Sequence, residues 1–184
     1  MIDGAKKIGR RLLGLGAGTR RFLKSKNGNA LIEFALIGPP FVALLMAILE
    51  TALIFLAQQF LQSATTQTAR LIMTGQAQTQ AMTAAQFQQA VCANGVALFT
   101  CAGLYVNVQK FSSFGGVSML NPLSGGNFNA ASMKFSTGSP GDIMLVQVFY
   151  QWPVYLAPLG FDISNMKGNM RLLVGTAGFR NEPY

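Results

Sequence analysis

Histidine is absent from the 184 residues. Its absence removes the commonest general base and leaves no imidazole to complete a metal set. Acids are almost as scarce, six in all. The three farthest along the chain, Asp142, Asp162 and Glu182, are not grouped, and Asp142 after Pro140-Gly141 reads as turn chemistry. Charged residues make up 11%, against about 25% in soluble domains. Tryptophan occurs once, and Trp152 with Tyr150 and Tyr155 reads as core and rim rather than as a sugar platform. Gly14-Leu15-Gly16-Ala17-Gly18 follows no strand and has the wrong spacing for a phosphate loop. No internal repeat is evident. The expectation is a non-enzyme, with no catalytic residue, no metal and no cofactor, that works through surfaces.

What the chain has in quantity is hydrophobic side chains, 51%. The formal net charge of +8 is unevenly placed. Lys6, Lys7, Arg10, Arg11, Arg20, Arg21, Lys24 and Lys26 face one acid, Asp3, in residues 1–28; six cations and five acids share the remainder. A basic arm can serve nucleic acid or anionic lipid. Followed at once by an apolar run, it reads instead as a topology signal that holds residues 1–28 in the cytoplasm. No nucleic-acid partner is expected.

The apolar segment runs from about Phe34 to Ala57. At about 1.5 Å per residue it is about 36 Å long, enough to cross a hydrocarbon core of about 30 Å with tilt. It exceeds the roughly 7–15 residues of a cleaved signal core. Pro39-Pro40 predicts a kink or local unwinding. Glu50, near the far end, is expected among the outer headgroups rather than in a specific pairing. Beyond it Leu61, Ala64, Thr65, Thr68, Ala69 and Ile72 fall at three- and four-residue spacing, with Gln58, Gln59, Gln62, Ser63, Gln67 and Arg70 on other faces. This predicts a helix continuing past the membrane, its stripe covering a sheet, with Thr74-Gly75 as its stop.

Thr83-Ala84-Ala85-Gln86 has the capping-box pattern and predicts a second helix with Phe87, Ala90 and Val91 inward, ending at Asn94-Gly95. Cys92 and Cys101 flank the following turn. In an oxidising compartment one disulfide is expected; a redox pair or metal site has neither C-x-x-C spacing nor histidine behind it. Leu104, Val106 and Val108 then alternate, as do Met144, Val146, Val148 and Tyr150, with Gln147 and Gln151 opposite. Pro153 and Pro158 end that strand. A third strand begins at Arg171 and runs to Phe179, where Gly175 and Gly178 suggest a bulge or tight helix packing. Residues 112–141, rich in Gly, Ser and Asn, read as a long surface loop. The fold class is α+β: a long N-terminal membrane-spanning helix, a short second helix and a three- to four-stranded antiparallel sheet. The expected divisions are a leader (1–28), the N-terminal helix (29–75, membrane-spanning over about 34–57) and an exported domain (76–184).

The junction carries a resemblance. Gly28-Asn29-Ala30-Leu31-Ile32-Glu33-Phe34 places a glycine, four residues and a glutamate ahead of a membrane-length helix. This resembles the processing signal of type IV prepilins, and more narrowly the G-x-x-x-x-E-F pattern of the TadE-like pseudopilins of the tight-adherence (Flp) pilus system. Pro39, Thr68-Ala69-Arg70 with Thr74-Gly75, Cys92 with Cys101 ahead of Val106, and the ending Phe179-Arg180-Asn181-Glu182-Pro183-Tyr184 are similar to features of that family. Asn29 stands where standard type IV pilins have Phe. The resemblance implies a minor pseudopilin-like structural component cut between Gly28 and Asn29 by a prepilin peptidase, with Glu33 and Phe34 in recognition and assembly. It implies other pilus and pseudopilin subunits, an inner-membrane assembly platform and membrane lipid as partners. It also implies a bacterial inner-membrane location with the N-terminus cytoplasmic and the C-terminal domain periplasmic. The alternative is an unprocessed single-pass protein whose exported domain binds another envelope protein.

Overall fold

The structure is a computed structural model that describes residues 29–95 and 98–184. The basic leader lies outside the described residues. The chain divides into two compact units, Met1–Met46 and Ala47–Tyr184. One helix, α1 (Asn29–Met73), supplies all that is described of the first unit and the opening of the second. In the first unit Leu31, Ile32, Phe34, Leu36, Ile37, Phe41 and Leu44 are all exposed, on a helix long and apolar enough to be a candidate membrane span. Pro39 and Pro40 lie inside α1 without interrupting it, so the expected unwinding does not occur.

In the second unit α1 buries Ile54, Ala57, Leu61, Ala64, Thr65, Thr68, Ala69 and Ile72. The stripe is the predicted one, extended by about two turns toward the N-terminus. Small residues dominate it, so the helix backbone approaches the sheet closely. Thr65 fits because its hydroxyl donates to the carbonyl of Leu61 at 2.7 Å and leaves no unpaired polar atom in the contact. Gly75 ends the helix at φ +78°, and a four-residue turn, α2 (Gln76–Thr79), follows that the sequence did not announce. Helix α3 (Ala84–Asn94) begins at Thr83, whose side chain and that of Gln86 satisfy each other's backbone N–H groups as the capping box requires. Phe87 and Val91 face the core.

Strands β1 (Leu104–Phe111), β4 (Ile143–Pro153) and β5 (Met170–Arg180) form an antiparallel sheet in the order β1-β4-β5. Between β1 and β4 lies a small hairpin of β2 (Leu123–Ser124) and β3 (Asn127–Phe128). The β4–β5 register runs unbroken from Ile143↔Arg180 to Pro153↔Met170, so the glycines of β5 mark no bulge. Gly175 instead marks close packing: a Cβ there would strike the Thr65 hydroxyl and lie 2.9 Å from the Leu61 carbonyl oxygen. At Gly178 an added Cβ meets nothing nearer than 4.0 Å.

The sheet is covered on both faces. On one, Leu104, Val108, Met144, Val146, Val148 and Leu173 pack with α1 and α3. On the other, Phe149 and Leu172 pack with Tyr105, Leu123, Phe128 and Val174. Residues 112–141 are therefore not a mere surface loop. They supply Phe128 to the second face, and Phe135 bridges in parallel to Val108 along the outer edge of β1. Asn107 and Gln147, polar positions in an alternating strand, are 0% and 1% exposed beneath them.

Candidate functional site

The predicted processing junction is divided by the limit of description. Gly28 lies outside the described residues and Asn29 is the first residue of α1. Glu33 and Phe34 follow on the same helix, both exposed. Helical geometry places Glu33 one turn beyond the backbone of Asn29. The Phe34 ring lies 3.6 Å from where a Cβ on Gly38 would sit, an ordinary van der Waals distance.

The second acid of α1, expected without a specific pairing, has one. Glu50 is 7% exposed. Its carboxylate accepts the backbone N–H of Tyr155, and that of Leu156 at 3.2 and 3.3 Å from its two oxygens. Glu50 therefore clamps the turn after β4, a specific pairing rather than an open interfacial position. The physical reason is that an acid inside an apolar helix needs donors, and two consecutive peptide N–H groups from across the fold supply them. No local pattern in the sequence points to partners more than a hundred residues away.

Cys92 and Cys101 are joined, with Cα atoms 5.4 Å apart. The bond ties the last turn of α3 to the approach of β1. Gln88 supports the same junction by donating to the carbonyls of Cys101 (2.7 Å) and Leu104 (2.9 Å).

Two glutamines of α1 do something the sequence left among unassigned faces. The Gln58 amide donates to the Val174 carbonyl (2.7 Å) and accepts the Val174 N–H (3.3 Å). One turn on, Gln62 donates to the Thr176 carbonyl (2.8 Å) and accepts the Thr176 N–H (2.9 Å). Each side-chain amide stands where a neighbouring strand's peptide would be. The outward backbone groups of β5 alternate, so Gly178 presents the next rung. No described residue bonds it. The i, i+4 spacing of glutamines beside an apolar stripe was the available signal.

The chain ending meets the helix ending. The Glu182 N–H donates to the Met73 carbonyl, and the Tyr184 ring lies against Gly75, where any Cβ would collide with it. Buried Asn181 donates to the carbonyls of Thr137 and Ser139, both at 3.1 Å. Thr74-Gly75 and the residues from Phe179 to Tyr184, separate motifs in sequence, thus form one junction.

Asp142 accepts the Ser139 N–H at 2.8 Å and pairs with Lys110 at 3.6 Å, turn chemistry as expected. Asp162 is held below its ordinary pKa by the Ser164 hydroxyl and then by the Ser164 N–H. Among the described residues no three His, Cys, Asp or Glu side chains lie together. The arrangement offers hydrogen-bonded surfaces and a membrane-length helix.

Comparison with known proteins bears on the N-terminal part. No curated protein and no solved structure matches the chain. The model of the family described as TadE-like protein matches residues 28–70, the stretch that opens at Gly28 and carries α1 almost to its end. Over that stretch the chain is similar to the TadE-like family.

Proposed function

We propose that this protein is a minor pseudopilin-like structural component that helps assemble an adhesive tight-adherence (Flp) pilus. The observation that carries the reading is the family match, which begins at the glycine of the G-x-x-x-x-E-F pattern and ends within the packed half of α1. The helix Ala30–Met73 is a candidate membrane span. In the proposed topology residues 1–28 are cytoplasmic and the sheet lies in the periplasm, where the Cys92–Cys101 disulfide is stable.

A prepilin peptidase cuts between Gly28 and Asn29 and leaves a new ammonium at Asn29. Glu33, one turn on, offsets that charge or the ammonium of a neighbouring subunit, near the positive end of the helix dipole. An uncompensated charge in the bilayer costs at least about 2.5 kcal/mol, so pairing favours one subunit register. Other pilus subunits and the inner-membrane platform are the proposed partners. The alternative, an unprocessed single-pass protein, predicts an intact leader.

Mass spectrometry of the mature N-terminus in the native host separates the two readings. A chain starting at Asn29, and an uncleaved chain in Gly28→Leu, support processing. A chain still starting at Met1 beside an active prepilin peptidase overturns it.

A further inference from the structure

Outside α1, exposed large apolar side chains are few among the described residues: Phe114, Met119, Tyr155, Leu159, Phe161 and Tyr184. Three of the six fall within residues 155–161. Tyr155 is 73% exposed and Leu159 is 81% exposed. Their turn is firmly built. A 3-10 turn, Ala157–Leu159, ends at Gly160 with φ +96°, and the Phe161 N–H returns to the Leu156 carbonyl at 3.3 Å. Glu50 clamps its first two peptides. A turn so constrained displays its apolar side chains on a fixed platform, although burying them inside would have been the favourable course in water.

The level of this turn is set by the residue that holds it. Glu50 sits beside a stretch of α1 whose Ile48, Leu49, Leu53, Phe55 and Leu56 are themselves exposed. A helix needs about 20 residues to cross a core of about 30 Å. Counted back from Glu50, that length reaches Ala30, the start of the candidate span. A span of that length starting at Ala30 ends at the acid, and so at the level of the turn it clamps. A cleft of about 360 Å³ opens alongside, walled by Thr51, Ile54, Phe55, Gln58, Ile163 and Arg171 among others. The Arg171 guanidinium donates to the Ile163 carbonyl at 2.6 Å and makes no ion pair among the described residues. An apolar tip, a tyrosine and an unpaired cation at one level are the composition of an interfacial belt.

We propose that residues 154–161 form a second membrane contact, seated in the headgroup boundary of a phospholipid bilayer. Tyr155, Leu159 and Phe161 enter the upper acyl region, and Arg171 faces the phosphates. The proposal rests on the reading of α1 as a membrane span. It adds that the sheet is held down on the bilayer at the end where β4 stops and β5 starts, rather than swinging on α1. Glu50 makes this possible, since both its oxygens and the two peptides are satisfied before they meet lipid.

The test is nitroxide depth measurement on the full chain in phospholipid vesicles. Because both native cysteines are bonded, a label attaches to one introduced thiol. Leu159→Cys probes the turn, Phe161→Cys repeats it, Ser113→Cys marks the opposite end of the sheet, and Leu44→Cys marks the span. The ratio of collisions with oxygen to collisions with a water-soluble nickel chelate is expected to be several-fold higher at 159 and 161 than at 113, and highest at 44. Ratios at 159 and 161 equal to that at 113, with 44 in lipid, overturn the proposal and leave the span standing. Labels at 159 and 161 shielded from both reagents assign the turn to a protein contact and also overturn it. A water-exposed label at 44 overturns the span reading, and the proposal with it.

Discussion

The two faces of the sheet are built from different materials. Under α1 the contact is apolar and close: Leu61, Ala64 and Ile72 above, Val146, Val148 and Leu173 below, with Gly175 admitting the helix backbone. Under residues 112–141 the covering segment is held by amides as well as by rings. Gln147 accepts the Leu120 N–H at 3.0 Å and the Asn107 side-chain N–H at 3.1 Å, and donates to the Leu120 carbonyl at 3.3 Å. Asn107 also accepts the Lys134 N–H at 3.0 Å. Phe128 adds ring contacts to Tyr105 and Phe149, with centroids 4.6 and 6.4 Å away. A regular helix satisfies its own backbone and needs only an apolar bed. An irregular segment brings unpaired peptide groups, and the sheet beneath must supply partners for them.

That contrast can be broken at its tightest point. Gly175→Leu places a side chain where Thr65 and the Leu61 carbonyl already are, so the helix must lift from the sheet. A loss of at least about 3 kcal/mol is expected. Gly178→Leu, on the same strand with open space around it, is expected to change stability by no more than about 0.5 kcal/mol. Thermal unfolding of the detergent-solubilised chain, followed by near-ultraviolet circular dichroism, checks both. Equal effects would mean that Gly175 is not the closest approach.

On the second face Gln147→Leu keeps the bulk and removes the amide. It strands the Leu120 peptide and the Asn107 side chain away from water, at an expected cost of about 2–3 kcal/mol. In a double-mutant cycle with Asn107→Leu the two losses should be clearly less than additive, because the residues share one network. Additive losses would break the claim that the face is held as a unit.

Replacing Cys92 and Cys101 together by serine releases the junction between α3 and β1. The closed loop is short, so the expected loss is about 2–3 kcal/mol, seen as a lower Tm that reductant no longer changes. Gln58→Ala and Gln62→Ala are milder, about 1 kcal/mol each, since the exposed peptides of β5 regain water. Faster hydrogen exchange at the amides of Val174 and Thr176, each tied to its own substitution, is the specific signature.

Much of the helix-covered face was legible in the sequence. The three- and four-residue spacing of Leu61, Ala64, Thr65, Thr68, Ala69 and Ile72, the capping box at Thr83 and the alternation through β4 are local signals, and local signals survive translation into structure. The second face was not legible for a definite reason. Gln147 and Asn107 occupy the polar phase of alternating strands, which is what a solvated face also looks like. Nothing in a Gly-, Ser- and Asn-rich stretch says that it folds back over them. Glu50 was half legible: its spacing reads as the edge of a membrane segment, but its donors, in the turn at Tyr155, leave no local signal. The family match covers residues 28–70 and does not reach the sheet.

The glutamine pair on β5 has a meaning beyond stability. A sheet has two lateral rims, and each is a template for another chain's strand. Along β1 the rim is covered at its middle by residues 134–136, with Val108 bonded to Lys134 and Ser136. Along β5 it is filled by the Gln58 and Gln62 amides, by Asn165 at Leu172 and by Met73 at Glu182. Two rungs, at Gly178 and Arg180, are left between the Thr176 and Glu182 contacts. Occupied rungs of this kind insulate a sheet against unplanned strand addition. A strand added along β5 would have to displace the two glutamines from Val174 and Thr176.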